Sequence, residues 1–229
     1  MAKTRTNDMM PDSMKMNRIR PRTNTWFNVL FIILAAAAII PVVFVFMISI
    51  SSEESIRLVG YSFVPQSFSG SAYQFLWNER ATILQALFIS VSVTVLGTLI
   101  GLALTTTMGY VLSRPAFKLK SFYTWVVFIP MIFNGGMVAS YVVNANILGL
   151  KNTIWALILP LTVSSFNIII CKTFFRSTVP DSIIESAKID GANQLRIFGT
   201  IVLPISKPVL ATIGLFLTFG YWNDWFQSS

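Results

Sequence analysis

Residues 185–208 read "ESAKIDGANQLRIFGTIVLPISKP" and stand apart from the chain around them. The protein is 54% hydrophobic and only 11% charged, yet this stretch carries Glu185, Lys188, Asp190, Arg196 and Lys207 between two long apolar runs. Its local signals are helical. Ser182 followed by Glu185 three residues later fits a capping box, and Pro180 and Asp181 suit a helix entrance. Ile184, Ala187, Gly191, Ala192 and Leu195 recur at spacings of three and four, which predicts a small-residue stripe. Gly191 is expected to loosen the helix and let another backbone approach closely. Glu185 and Lys188 fall on a different, exposed face. A second short helix is predicted from about Gln194 to Val202, with Pro204 ending it. Two readings of this insert follow from spacing alone: a helix that docks onto a protein partner, or an ordinary loop helix lying at a membrane interface.

The flanking runs decide the class. Mean hydropathy is +0.68, and a soluble domain carries about twice this fraction of charge. Five runs approach the roughly 20 residues that cross a bilayer: 27–50 with Pro41, about 82–108, about 122–143 with Pro130 and Gly135-Gly136, about 153–171 with Pro160, and one from near Pro208 to the end. Helices alone satisfy every backbone group along such runs, so the predicted fold class is all-α, a polytopic transmembrane helical bundle. Fourteen of the 17 basic residues fall in the N-terminal tail, the link after the second run and the link after the fourth. By the positive-inside rule, the N-terminus and the 172–207 link are then cytoplasmic. Trp155, Trp222 and Trp225 fall near the outer ends of spans, Trp26 and Trp125 near the inner ends. The division expected is a basic tail over 1–25, a first span over 26–50, an extracytoplasmic segment over 51–81 and a core over 82–229. The first apolar run is too long for a cleaved signal sequence, whose core is about 7–15 residues.

Several chemistries are excluded or disfavoured. There is no histidine, and the single cysteine, Cys171, forms no internal disulfide; no metal or cofactor site is predicted. Neither G-x-x-x-x-G-K-[ST] nor G-x-G-x-x-G occurs, so nothing cradles a nucleotide and energy must come from a partner. No ionisable residue lies mid-membrane in the first four spans, which counts against an ion-coupled secondary carrier. The basic charge is explained by topology rather than by nucleic acid. Gly97 and Gly101 suit a close-packing face, within the chain or between chains. Asn134, Asn144, Asn146 and Asn167 suit interhelix hydrogen bonds or a ligand's hydroxyl groups. Asp224 suits an interfacial position or a substrate contact.

The insert resembles the cytoplasmic signature of binding-protein-dependent ABC importer permeases: E-A-A, three residues, G, nine residues, then I-x-L-P. Here Glu185-Ser186-Ala187 is followed by Lys188-Ile189-Asp190 and Gly191, and Ile201-Val202-Leu203-Pro204 follows after nine residues. Asp190-Gly191-Ala192, Phe198, Pro208 and "YWNDWF" at 221–226 match the carbohydrate class, of the maltose-type second permease. Ser186 replaces the second alanine, small for small. The resemblance implies that a coupling helix within about 181–202 seats on a cytoplasmic ATPase dimer through Glu185, Ser186, Ala187, Lys188, Asp190, Gly191 and Ala192. It also implies a second permease subunit, an extracytoplasmic solute-binding protein, a sugar or oligosaccharide substrate, surrounding membrane lipid, and a multi-pass location in a prokaryotic plasma (inner) membrane. The chain itself is expected to catalyse no covalent chemistry. Six spans are usual in this class, so five runs predict a missing sixth. The alternatives from other classes are an ion-coupled carrier and a non-transporting membrane scaffold.

Overall fold

The computed structural model describes residues 21–228, with side chains from Arg22 onward; the basic tail over residues 1–20 lies outside the described residues. Contacts divide the chain into two units, one ending at Ile83 and one beginning at Leu84. All described regular structure is helical apart from one isolated bridge between Ser51 and Phe68.

In the first unit, α1 (Pro21–Ser49) runs through Pro41 without interruption and takes in residues that the sequence assigns to the tail. Its most apolar 18-residue stretch has a mean hydropathy of 3.1, and its length of 28 residues from Arg22 suffices to cross a bilayer. Next come α2 (Glu53–Val59), whose N-terminus is capped by the Ser52 hydroxyl accepting from Ser55 N–H, and α3 (Ser71–Asn78). The Ser49 and Tyr73 hydroxyls lie 2.8 Å apart, joining α1 to α3.

The second unit is built around α4 (Arg80–Ser113), a 34-residue helix that starts at the end of the first unit. It is followed by α5 (Lys120–Ile132), α6 (Gly136–Val142) with a π-turn over Val143–Ile147, α7 (Ile154–Thr162) and α8 (Ser165–Thr178). Then come α9 (Asp181–Ile189), α10 (Gln194–Ile197), a π-turn over Phe198–Val202, α11 (Leu203–Ile205) and α12 (Lys207–Trp222), with a 3-10 turn at Phe226–Ser228.

Two of the predicted runs are interrupted. The third breaks over Phe133–Gly135, where Gly136 takes φ +79°. The fourth breaks at Val163 and Ser164, both extended, and α7 and α8 meet at 45°. Pro160 stays inside α7, so the bend falls three residues after the proline that signals it. A bend of 85° at Ser206 precedes the last run, so the 194–205 segment lies across the start of α12 instead of continuing into it. Pro204 does not stop the helix as expected. The register widens just before it, with Leu203 N–H donating to Phe198 O, which relieves the clash a proline ring makes with the carbonyl four residues back. Among the described residues, two helices are long and apolar enough to cross a membrane, or up to four if each bent pair is one span.

Glycines in α4 set its packing. A Cβ at Gly97 would stand 2.3 Å from the Tyr221 ring, one at Gly101 2.8 Å from Thr162 O, and one at Gly109 2.5 Å from the Cys171 Cβ. These glycines therefore serve packing within the chain, against α7, α8 and α12. Tyr221 is held by donating to Ile158 O at 2.7 Å, with Thr162 Oγ1 at 3.2 Å. The main core joins Tyr110 of α4, Cys171 and Phe175 of α8, Ile184 and Ala187 of α9, Ile197 of α10, Val202, and Val209, Ile213 and Leu217 of α12. Cys171 is wholly buried in it.

Candidate functional site

The predicted docking segment is a short polar helix fixed at both ends. At its entrance, α9 begins at Asp181 with Pro180 in the cap position and no side-chain cap bond. The capping box expected at Ser182 does not form, because Ser182 is already inside the first turn and its carbonyl accepts from Ser186 Oγ at 2.9 Å. Arg114, just beyond α4, does the holding. Its guanidinium donates to Phe175 O at 2.8 Å, Val179 O at 3.3 Å, Asp181 Oδ1 at 2.9 Å and Ser113 Oγ at 2.8 Å. It also lies over the Tyr110 ring, 5.3 Å from the centroid. One cation thus meets the C-terminal carbonyls of α8, where the helix dipole is negative, and the first residue of α9. A small cleft of about 90 Å³ beside it is lined by Arg114, Asp181, Glu185, Lys188 and Gln194, among others.

At the exit, Gly191 has φ +79°. Ala192 N–H donates to Ala187 O at 2.9 Å and Gly191 N–H to Lys188 O at 3.0 Å, the paired bonds of a Schellman motif. A Cβ built on Gly191 meets nothing within 4 Å. Glycine is needed here for its left-handed backbone, and nothing else in this chain approaches it closely. The next helix starts at once, with the Asn193 side chain accepting from Arg196 N–H at 2.8 Å.

The small-residue stripe divides accordingly. Ile184 and Ala187 are buried in the chain's own core, and Ala192 packs against the same cluster. Leu195 is 81% exposed, and so belongs to the outer face. Glu185, Ser186, Lys188, Asp190 and Gly191 are exposed together, and Ile189 among them is 86% exposed. Of the seven residues assigned to docking, five share an open surface and two, Ala187 and Ala192, seat the helix from beneath. Sequence reading missed Arg114, which it counted only as a topology charge, and Ile189. An arginine directly ahead of a proline at the end of an apolar run was the available signal.

A second set of polar residues lines cavities among the broken helices. One of about 530 Å³ is bordered by Asn134, Ser140, Asn144, Pro160, Leu161 and Gln227, among others. An adjoining one of about 370 Å³ shares Leu161 and adds Ser164, Phe166, Asn167, Phe216 and Gly220. The asparagines make few interhelix bonds. Asn134 Oδ1 accepts from Gly136 N–H at 2.8 Å, a local turn, and Asn144 Nδ2 reaches Gln227 Oε1 only at 3.5 Å. Asp224 Oδ2 accepts from Gln227 N–H at 3.2 Å, so it caps the final turn. No group of metal-binding side chains is present among the described residues.

Bent apolar helices carrying a polar helix clamped across one end define a membrane permease. The chain belongs to the family of binding-protein-dependent transport system inner membrane components, whose model matches residues 97–224. It is 38% identical over 202 residues to Protein LplC of Bacillus subtilis (strain 168), covering 88% of this chain and 68% of that protein. It is 39% identical over 191 residues to the polygalacturonan/rhamnogalacturonan transport system permease protein YtcP of the same organism, covering 83% of this chain and 66% of that protein. The chain thus spans about two thirds of the length of these relatives. Among solved structures it is similar to a bacterial ABC transporter involved in the import of the acidic polysaccharide alginate, with a TM-score of 0.75 and 29% identity, covering 90% of this chain and 74% of that chain. The protein is therefore a membrane component of the ABC importer permease type and not itself an enzyme, and the secondary-carrier and scaffold alternatives fall away.

Proposed function

We propose that this chain is a permease subunit for import of a sugar or oligosaccharide, driven by a separate ATPase dimer that docks on the outer face of α9. The single observation that carries this reading is the rigid presentation of that face. Arg114 fixes its start and the Gly191 turn fixes its end, while Glu185, Lys188 and Ile189 stay uncovered. A joint that transmits force needs this combination of a free surface and a stiff seat. The polygalacturonan/rhamnogalacturonan permease and the alginate importer among its relatives support the carbohydrate assignment. A second permease would complete the path, and a solute-binding protein would deliver the substrate from outside. The asymmetry of basic residues supports a cytoplasmic N-terminus and a cytoplasmic α9.

Co-purification from membranes of cells making the whole importer tests this. An ATP-hydrolysing subunit and a second permease are expected to be recovered with the native chain, and Glu185→Lys with Lys188→Glu is expected to lose the ATPase at least about tenfold while keeping the second permease. Gly191 is a poor control, because its replacement strains the turn whatever docks there. Equal recovery of the ATPase with the charge-reversed chain would overturn the docking face.

A further inference from the structure

We infer that the groove at the α7–α8 break, centred on Asn167, is this chain's own contact with the transported saccharide, gripping hydroxyl groups and not charge. The inference rests on the importer reading above and adds a site to it. Four observations meet there. Val163 and Ser164 are extended in the middle of an apolar helical run. Non-helical backbone at membrane depth is tolerated only where protein buries it or a water-filled cavity receives it. A cavity of about 370 Å³ does lie at this point. Asn167 lines it, is 94% buried, being 6% exposed, and has no hydrogen-bond partner among the described residues.

The residue as a whole is buried, but its amide atoms stay open to the cavity, where water or a ligand can pair with them. The amide offers a carbonyl and two N–H donors. The N–H groups of Ser165, Phe166 and Asn167 form the first turn of α8 and have no acceptor within the helix. Phe166 and Phe216, 51% and 45% exposed, supply flat apolar walls. Hydroxyls against amide and backbone, with C–H faces against aromatic rings, is the chemistry of a pyranose ring. No Asp, Glu, Lys or Arg lines this cavity or the adjoining one at Asn134 and Asn144. A carboxylate on the sugar would find no counter-charge on this chain, so this half of the path reads hydroxyls in neutral and acidic saccharides alike.

The test uses the importer assembled with its partner subunits in membranes. Asn167→Cys is treated with a hydrophilic, membrane-impermeant thiol reagent; the native Cys171, wholly buried, gives no background. Uptake is measured with raffinose as a neutral trisaccharide and trigalacturonate as an acidic one. Labelling of Asn167→Cys is expected, and the saccharide that is taken up is expected to slow it. Asn167→Ala is expected to raise the KM for uptake roughly three- to tenfold, the loss of one neutral hydrogen bond, with ATP hydrolysis unchanged. Ser164→Ala, at a less buried position, gives a second reading of KM if Asn167→Ala assembles poorly. An unreactive Asn167→Cys means that lipid or a partner helix covers the groove, and overturns the site. Labelling that no transported saccharide slows, with KM unmoved in both variants, overturns the saccharide assignment. If the native importer takes up neither sugar, the sugar-import reading fails, and the saccharide contact fails with it. If labelling persists there, the groove stands as an aqueous cavity, so the two failures are told apart.

Discussion

Arg114 concentrates in one side chain what three helices require. Two of its contacts are to backbone carbonyls and one is to Asp181, and the Arg114 side chain is 12% exposed while that of Asp181 is 54% exposed. The half-solvated carboxylate makes the ion pair worth under about 1 kcal/mol. The carbonyls at the end of α8 are a different matter, because a buried acceptor that loses its donor costs about 1–3 kcal/mol. Arg114→Ala is therefore expected to destabilise the solubilised protein by about 2–3 kcal/mol, Asp181→Asn by under about 1 kcal/mol, and Arg114→Lys by an intermediate amount, since one ammonium does not reach all the acceptors a planar fork reaches. Thermal midpoints in detergent check the order. An Asp181→Asn variant as damaged as Arg114→Ala would show that the ion pair, not the carbonyl cap, holds the joint. Arg114 ahead of Pro115 marks a helix end in the sequence, but which carbonyls it meets was not legible there, where it is one basic residue among 17. The motif residues Glu185, Lys188 and Gly191 were legible by spacing. The role of Gly191 was not, because a glycine needed for φ +79° and one needed for close contact look identical in a sequence.

At the scale of elements, the apolar runs foretold which helices exist but not where they bend. Pro160 pointed to a break near the fourth run, yet it stays inside α7 and the extended residues are Val163 and Ser164, a β-branched and a hydroxyl residue of the kinds that leave a helix readily. The 85° turn at Ser206 sits between Pro204 and Pro208, and Pro208 falls in the first turn of α12, where no helical N–H bond is lost. Helix-to-helix packing was half legible: Gly97 and Gly101 announced a close face without saying whose. The structure places Gly109 in the same series, a Cβ there falling 2.5 Å from the Cys171 Cβ. That neighbour is stiff and close to backbone, so Gly109→Ala forces α4 and α8 apart. A loss of about 1–3 kcal/mol is expected, read as a lower thermal midpoint. The control is Gly199→Ala, where an added Cβ meets nothing within 4 Å. Equal midpoints for both variants would mean that α4 and α8 do not pack as described.

For the whole molecule, the central claim is that α9 is the face on which an ATPase acts, stiffly joined to the core through α4 and α8. The direct measurement is cross-linking of Lys188→Cys in the assembled importer with a short bismaleimide, followed by identification of the attached subunit. Lys188 is exposed on α9, and Cys171 is too buried to compete. The expected product joins this chain to the nucleotide-binding subunit, with a yield that changes when ATP is bound. Modification of Lys188→Cys by an impermeant reagent from the extracytoplasmic side, or cross-links that never include an ATP-binding subunit, would contradict both the orientation and the role of the helix.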